Sequence, residues 1–101
     1  MDLGMIKQAM EMKKQMDKVQ KELAKLTVEA ETGKGAVKVV ASGQLRIMSI
    51  KIDPTVIDPH KSGDLEKMIH KAINSALEDA QKMASKELSK VTSGLNIPGL
   101  T

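Results

Sequence analysis

The stretch whose reading decides the fold is residues 27–53, TVEAETGKGAVKVVASGQLRIMSIKID. Within it apolar side chains recur at a period near two, with Val28 and Ala30, then Val37 and Val39, then Met48, Ile50 and Ile52. This is the spacing at which strand residues alternate between the two faces of a sheet. Two breaks, Gly33-Lys34-Gly35 and Ser42-Gly43-Gln44, supply residues that tolerate the positive φ of tight hairpin turns. Three short strands in an antiparallel meander follow. Leu45 and Ile47 oppose Met48 and Ile50, so both faces of the third strand are apolar and each is expected to be covered. Asp53-Pro54 closes the sheet, and a polar connection from Asp58-Pro59 to Ser62-Gly63 leaves room for one helical turn at residues 55–57.

Upstream, Met5, Ala9, Met12, Met16, Val19, Leu23 and Leu26 are spaced alternately by four and three, the heptad pattern of a coiled-coil seam. A helix over about residues 2–26 is predicted, capped by Asp2 and ended by the β-branched pair Thr27-Val28. Downstream, Leu65, Met68, Ile69, Ala72, Ile73, Ala76, Leu77, Ala80, Met83, Ala84, Leu88 and Val91 keep helical spacing, which predicts a second long helix over about residues 64–92 with Asp64 as its N-cap. Ala72, Ala76, Ala80 and Ala84 form a flat ridge that lets another helix or sheet approach closely. Residues 1–94 read as one domain and Leu95 to Thr101 as an irregular C-terminal tail.

Composition narrows the function. The 101 residues include no Cys, Phe, Tyr or Trp, so disulfides, thiolate zinc sites, cysteine nucleophiles and aromatic base-stacking platforms are excluded. The core must be aliphatic, with eight Met among its candidates. Sixteen basic against 13 acidic groups give a formal +3, which permits a polyanionic partner without demanding one. No stretch approaches the ~20 apolar residues of a membrane span, and the first twenty residues lack a secretory apolar core, so a cytoplasmic protein is expected.

Catalytic readings are weak. His60 and His70 have no third ligand at metal spacing. Asp53 and Asp58 flank prolines at turns, and Glu78 and Asp79 are helix neighbours whose side chains diverge. Gly33-Lys34-Gly35 is too short for a phosphate-binding P-loop and precedes a strand where that motif needs a helix. No enzyme activity, cofactor, metal or small-molecule substrate is expected.

Helices of roughly 24 and 28 residues would be about 36 and 42 Å long, whereas a compact chain of this size has a radius of gyration near 13 Å. Their apolar seams would face water unless a second chain covers them, so a homodimer with protruding helices is expected, its interface formed by Met5, Met12, Met16, Val19 and Leu23. One helix folding back on the other is the alternative.

The order helix, meander, helix meets several specific segments: Met10 to Met16, Thr32-Gly33-Lys34-Gly35, Val37-Lys38-Val39, Ile50-Lys51-Ile52-Asp53-Pro54, Asn74 to Ala80, and Ser93-Gly94-Leu95-Asn96-Ile97-Pro98-Gly99. Over nearly its whole length the chain resembles the YbaB/EbfC family of bacterial nucleoid-associated proteins. The resemblance implies an α/β (α+β) homodimer, nucleoid-associated, that binds double-stranded DNA and alters its conformation. It brings no cofactor, no catalytic residue and no defined set of base-reading residues.

DNA contacts are therefore sought in this sequence. With Met5 at heptad position d, Lys7, Lys14 and Lys21 share position f and Lys18 and Lys25 position c, on the side away from the seam. Successive f lysines would lie about 10 Å apart, a spacing that can meet a series of phosphates. The first 26 residues hold six Lys against Asp2, Glu11, Asp17 and Glu22, which is +2 of the total +3. Outward heptad positions are also charged for solubility alone. Lys86 and Lys90, on a stripe with Lys82, are secondary candidates, although cations near a helix C-terminus also complement its dipole. Arg46 is the single side chain suited to bidentate guanine readout, so recognition should rest on backbone charge and DNA shape. A protein-interaction scaffold using the Met-rich helix or the tail is the competing reading; a membrane-surface helix lacks aromatic anchors.

Overall fold

A computed structural model of the chain describes residues 2–94. The order is α1 (Leu3–Lys25), β1 (Thr27–Thr32), β2 (Val37–Ser42), β3 (Ile47–Ile52), the 3₁₀ turns Pro54–Val56 and Pro59–Lys61, and α2 (Ser62–Gly94). The strands form one antiparallel sheet in the order β1-β2-β3, as the period-two reading predicts. The expected tail, Leu95 to Thr101, lies outside the described residues.

Asp2 opens α1 as expected, its Oδ1 accepting from the Gly4 amide at 3.0 Å. At the other end of the helix, the β2–β3 turn donates to carbonyls in and just beyond its last turns. The Gly43 amide donates to both Leu23 O (3.0 Å) and Leu26 O (2.9 Å), and Gln44 Nε2 donates to Gln20 O at 2.9 Å. The turn composition makes Gly43 a source of positive φ, but its role is different. A Cβ there would lie 2.8 Å from the Leu23 carbonyl oxygen, so glycine is required by the closeness of the helix. The left-handed residue of this turn is Leu45, at φ 63°, following a turn closed by the Leu45 amide on Ser42 O at 2.9 Å. In the β1–β2 turn Gly33, Lys34 and Gly35 all have positive φ, as expected.

Strand register puts Ala30 opposite Val39 and Val39 opposite Ile50, so one sheet face carries Ala30, Val37, Val39 and Ala41. That face packs on Ala72, Ala76 and Ala80 of α2, each fully buried, with Val28, Leu65, Met68, Ile69 and Ile73 around them. Methyl side chains at four-residue spacing let the helix axis come close to the sheet, which is how a chain without aromatic residues closes a core. Ala84 is only half-buried.

Several boundaries differ from expectation, and α2 runs to Gly94, two residues past its expected end. α2 begins at Ser62, directly after the 3₁₀ turn Pro59–Lys61, so Asp64 lies in its first turn and is not its N-cap. There the carboxylate still faces the positive end of the helix dipole. The capping aspartates are instead Asp53 and Asp58, whose Oδ1 atoms accept from the Thr55 and His60 amides, both at 2.9 Å. The expected turn at residues 55–57 is Pro54–Val56. The Thr55 amide, and secondarily its hydroxyl, hold the Asp53 carboxyl below its ordinary pKa.

The molecule measures 67 × 23 × 18 Å with a radius of gyration of 19.5 Å, well above the ~13 Å of a compact chain of this length. The long helices account for the excess.

Candidate nucleic-acid interface

α1 is an arm. Its buried residues are Val19 and Leu23, at 3% and 2% exposure, both near its sheet end. The five candidate lysines Lys7, Lys14, Lys18, Lys21 and Lys25 are all exposed. At about 100° per residue they fall within an arc of ~60°, with the seam on the opposite side of the helix. Glu11 shares the lysine face. Met5 (68% exposed), Met12 (51%) and Met16 (46%) remain open to solvent. The expected interface thus divides: Val19 and Leu23 are covered within their own chain, and the three methionines are not. The heptad pattern does not distinguish these two fates, because it records which side of the helix is apolar and nothing about what lies against it.

On α2, Lys82, Lys86 and Lys90 are exposed, and Lys90 Nζ forms an ion pair with Glu87 Oε1 at 3.0 Å. That exposed pair competes with any phosphate for Lys90. Of the other polar candidates, the His60 amide donates to Asp58 and the His70 ring meets Asn74 Nδ2 at 3.3 Å. Among the described residues no group of three or more His, Cys, Asp or Glu is arranged to hold a metal ion, and no helix is long and apolar enough to cross a membrane.

The third strand departs from expectation. α2 lies across β1 and β2, leaving Ile47 (36% exposed), Met48 (58%) and Ile50 (44%) uncovered on the sheet edge, with Leu45 exposed beside them. Ile47 and Ile50 pair with the core residues Ala41 and Val39, so they continue the buried face past the edge of the helix. A register irregularity between Val40 and Ala41 leaves Met48 without a cross-strand partner. An apolar edge of this kind is a template for another strand. The sequence shows β3 to be apolar, but not that the irregularity at Met48 brings Ile47 onto the same face as Ile50, where alternation sets them on opposite faces, nor that the strand lacks cover.

Comparison with known proteins agrees with this architecture. The model of the YbaB/EbfC DNA-binding family matches residues 2–95. A nucleoid-associated protein of Thermoanaerobacter sp. (strain X514) is 47% identical over 97 residues, covering 96% of this chain and 87% of that protein. One from Pelotomaculum thermopropionicum is 47% identical over 96 residues, covering 95% and 91%. The crystal structure of an uncharacterized protein from Helicobacter pylori shares the fold, with a TM-score of 0.65 at 18% identity over 78% of this chain and 90% of that one. A match spanning both helices and the whole meander leaves no part of the described architecture outside the family pattern: the chain belongs to the YbaB/EbfC DNA-binding family.

Proposed function

We propose that this chain is a nucleoid-associated protein that works as a homodimer, binds duplex DNA mainly through backbone phosphates and alters its conformation, with roles in nucleoid organisation and gene regulation. The observation that carries the reading is the α1 arm, with Lys7, Lys14, Lys18, Lys21 and Lys25 exposed on one face. Lysines are point charges that neutralise phosphates and release counterions, so affinity falls steeply with salt and depends little on sequence. Lys86 and Lys90 add a smaller contribution. In support of the dimer, Met5, Met12 and Met16 on the arm and Ile47, Met48 and Ile50 on the sheet edge are exposed apolar side chains of the kind a second chain covers. A two-fold axis doubles the lysine faces.

The test is fluorescence anisotropy with two unrelated duplexes at about 50 and 200 mM salt. Similar affinities that fall steeply with salt are expected, and Lys14→Gln, Lys18→Gln and Lys21→Gln combined should weaken both duplexes alike and flatten the salt slope. Unchanged affinity in a folded triple variant refutes the arm as the DNA-binding face. Absence of binding at low salt favours the second reading, a protein-interaction scaffold, for which the exposed methionines offer an adaptable docking surface. Sedimentation equilibrium tests the dimer, and a monomer at micromolar concentration would refute it.

A further inference from the structure

A second basic surface lies at the opposite end of the sheet from the α1 arm. The arm is anchored where Thr27 pairs with Ser42, whereas the β1–β2 turn follows the Thr32–Val37 pair. There the turn presses on the first third of α2. Thr32 Oγ1 donates to the Met68 carbonyl at 2.8 Å in a partly buried bond, and a Cβ on Gly33 would lie 2.6 Å from Met68 Sδ. That sulfur is at the flexible end of a side chain and can shift, so glycine is favoured here by its φ of 61°, and the Thr32 bond is what holds the turn against the helix. Between them runs a groove of about 280 Å³ lined by Glu31, Thr32, Gly33, Lys67, Met68 and Lys71. Lys67 and Lys71 are one helical turn apart, both exposed, and the exposed Lys34 follows Gly33 at the tip of the turn. None of the three has an ion-pair partner among the described residues. Glu31, the carboxylate on the groove, faces Lys38 across the strand pair.

Lys34 adds an independent observation. Its φ is 56°, a left-handed conformation that costs a lysine energy and that Gly or Asn adopts more cheaply. The turn therefore carries a cation at a position where a neutral residue would be more stable, a pattern common at functional sites.

We propose that this groove is a second duplex-DNA phosphate site, with Lys67 and Lys71 as its wall and Lys34 at its lip. The inference rests on the DNA-binding reading above and extends it to a surface remote from α1. Cations held on a helix and on a turn locked to that helix are preorganised, so less side-chain and loop freedom is lost on binding.

The experiment measures anisotropy with a single duplex against the full-length protein and four variants. Lys67→Gln with Lys71→Gln should lower the salt slope by about 0.9 for each phosphate no longer neutralised, and lower affinity by up to about 60-fold near 0.1 M salt if each lysine holds one phosphate. Arg46→Gln with Lys51→Gln, an equal charge change on and beside β3, should have a much smaller effect. Glu31→Gln removes the repelling carboxylate and should raise affinity severalfold. Lys34→Asn should raise the Tm while lowering affinity. Equal losses in the two double variants mean that only net charge is felt and overturn the site. So does full affinity in a folded Lys67→Gln/Lys71→Gln variant, and a Lys34→Asn variant with raised Tm and unchanged affinity removes the tip from it. A wild-type protein that does not bind DNA overturns the underlying reading itself, an outcome distinct from all of these.

Discussion

Replacing Gly43 by alanine would set a methyl carbon 2.8 Å from the Leu23 carbonyl oxygen, 3.0 Å from Leu23 Cδ2 and 3.1 Å from Leu23 Cβ. The nearest of these atoms is backbone at the end of α1, so it cannot move without moving the arm. Relief requires the turn and the helix to separate, which stretches the Gly43 amide's bonds to Leu23 O and Leu26 O. Overpacking costs roughly 1–3 kcal/mol and the weakened bonds about 0.5–1.5 kcal/mol. Against this, Gly43 is not among the residues of positive φ, so alanine suits its backbone and gains about 0.4–1 kcal/mol by restricting the unfolded chain. The net is a loss near 2 kcal/mol, or roughly 8–16 °C in Tm for a domain of this size. Gly63→Ala is the internal control. Nothing lies within 4 Å of a Cβ there and the residue is helical, so a gain of about 0.5–1 kcal/mol is expected. Thermal and urea unfolding followed by far-UV circular dichroism, at one fixed protein concentration because association shifts apparent stability, measure both. If Gly43→Ala matches Gly63→Ala in stability, the close joint between arm and sheet is refuted.

Leu45→Gly should stabilise the β2–β3 turn by about 0.5–1 kcal/mol, because the left-handed conformation at φ 63° is strained for leucine; a lower Tm would show that the side chain's packing outweighs the strain. Ser42 is 1% exposed and its Oγ has no hydrogen-bond partner among the described residues, so Ser42→Ala should recover about 1 kcal/mol of desolvation cost and raise the urea midpoint. The lowered Asp53 pKa makes a contribution to stability that is complete above the ordinary carboxylate range and is lost as pH falls through the folded value. Asp53→Asn should therefore narrow the stability difference between neutral pH and acid, and an unchanged acid profile would remove Asp53 from the linkage.

Much of the fold is legible in the sequence because its signals are local. Alternation over residues 28–52 and the three-four spacing of α1 are properties of a strand and a helix regardless of what surrounds them. Ala72, Ala76 and Ala80 announce a close-packed face for the same reason, and all three are fully buried. Helix starts are less legible: Asp64 satisfies the composition of an N-cap, but the 3₁₀ turn ending at Lys61 leads straight into α2 and displaces the boundary by two residues.

The candidate DNA face on α1 is also readable, since one helix carries all five of its lysines and periodicity alone gathers them. The groove at the β1–β2 turn is not, because its two walls, Glu31 to Gly33 and Lys67 to Lys71, are separated by more than thirty residues and come together only through the packing of the turn on Met68.

The sequence by itself thus determined the elements, their order, the buried alanine ridge and the charged side of the arm, all consequences of local period and chain stereochemistry. Tertiary structure alone decided that Gly43 serves close approach while Leu45 takes the left-handed turn position. It also decided that Val19 and Leu23 are covered while Met5, Met12 and Met16 are not, and that β3 stays open. Each of these depends on where α1 and α2 cross the sheet. A helix about 10 Å wide covers only about two strands spaced ~4.8 Å apart, and which two it covers is set by long-range packing that no local pattern encodes.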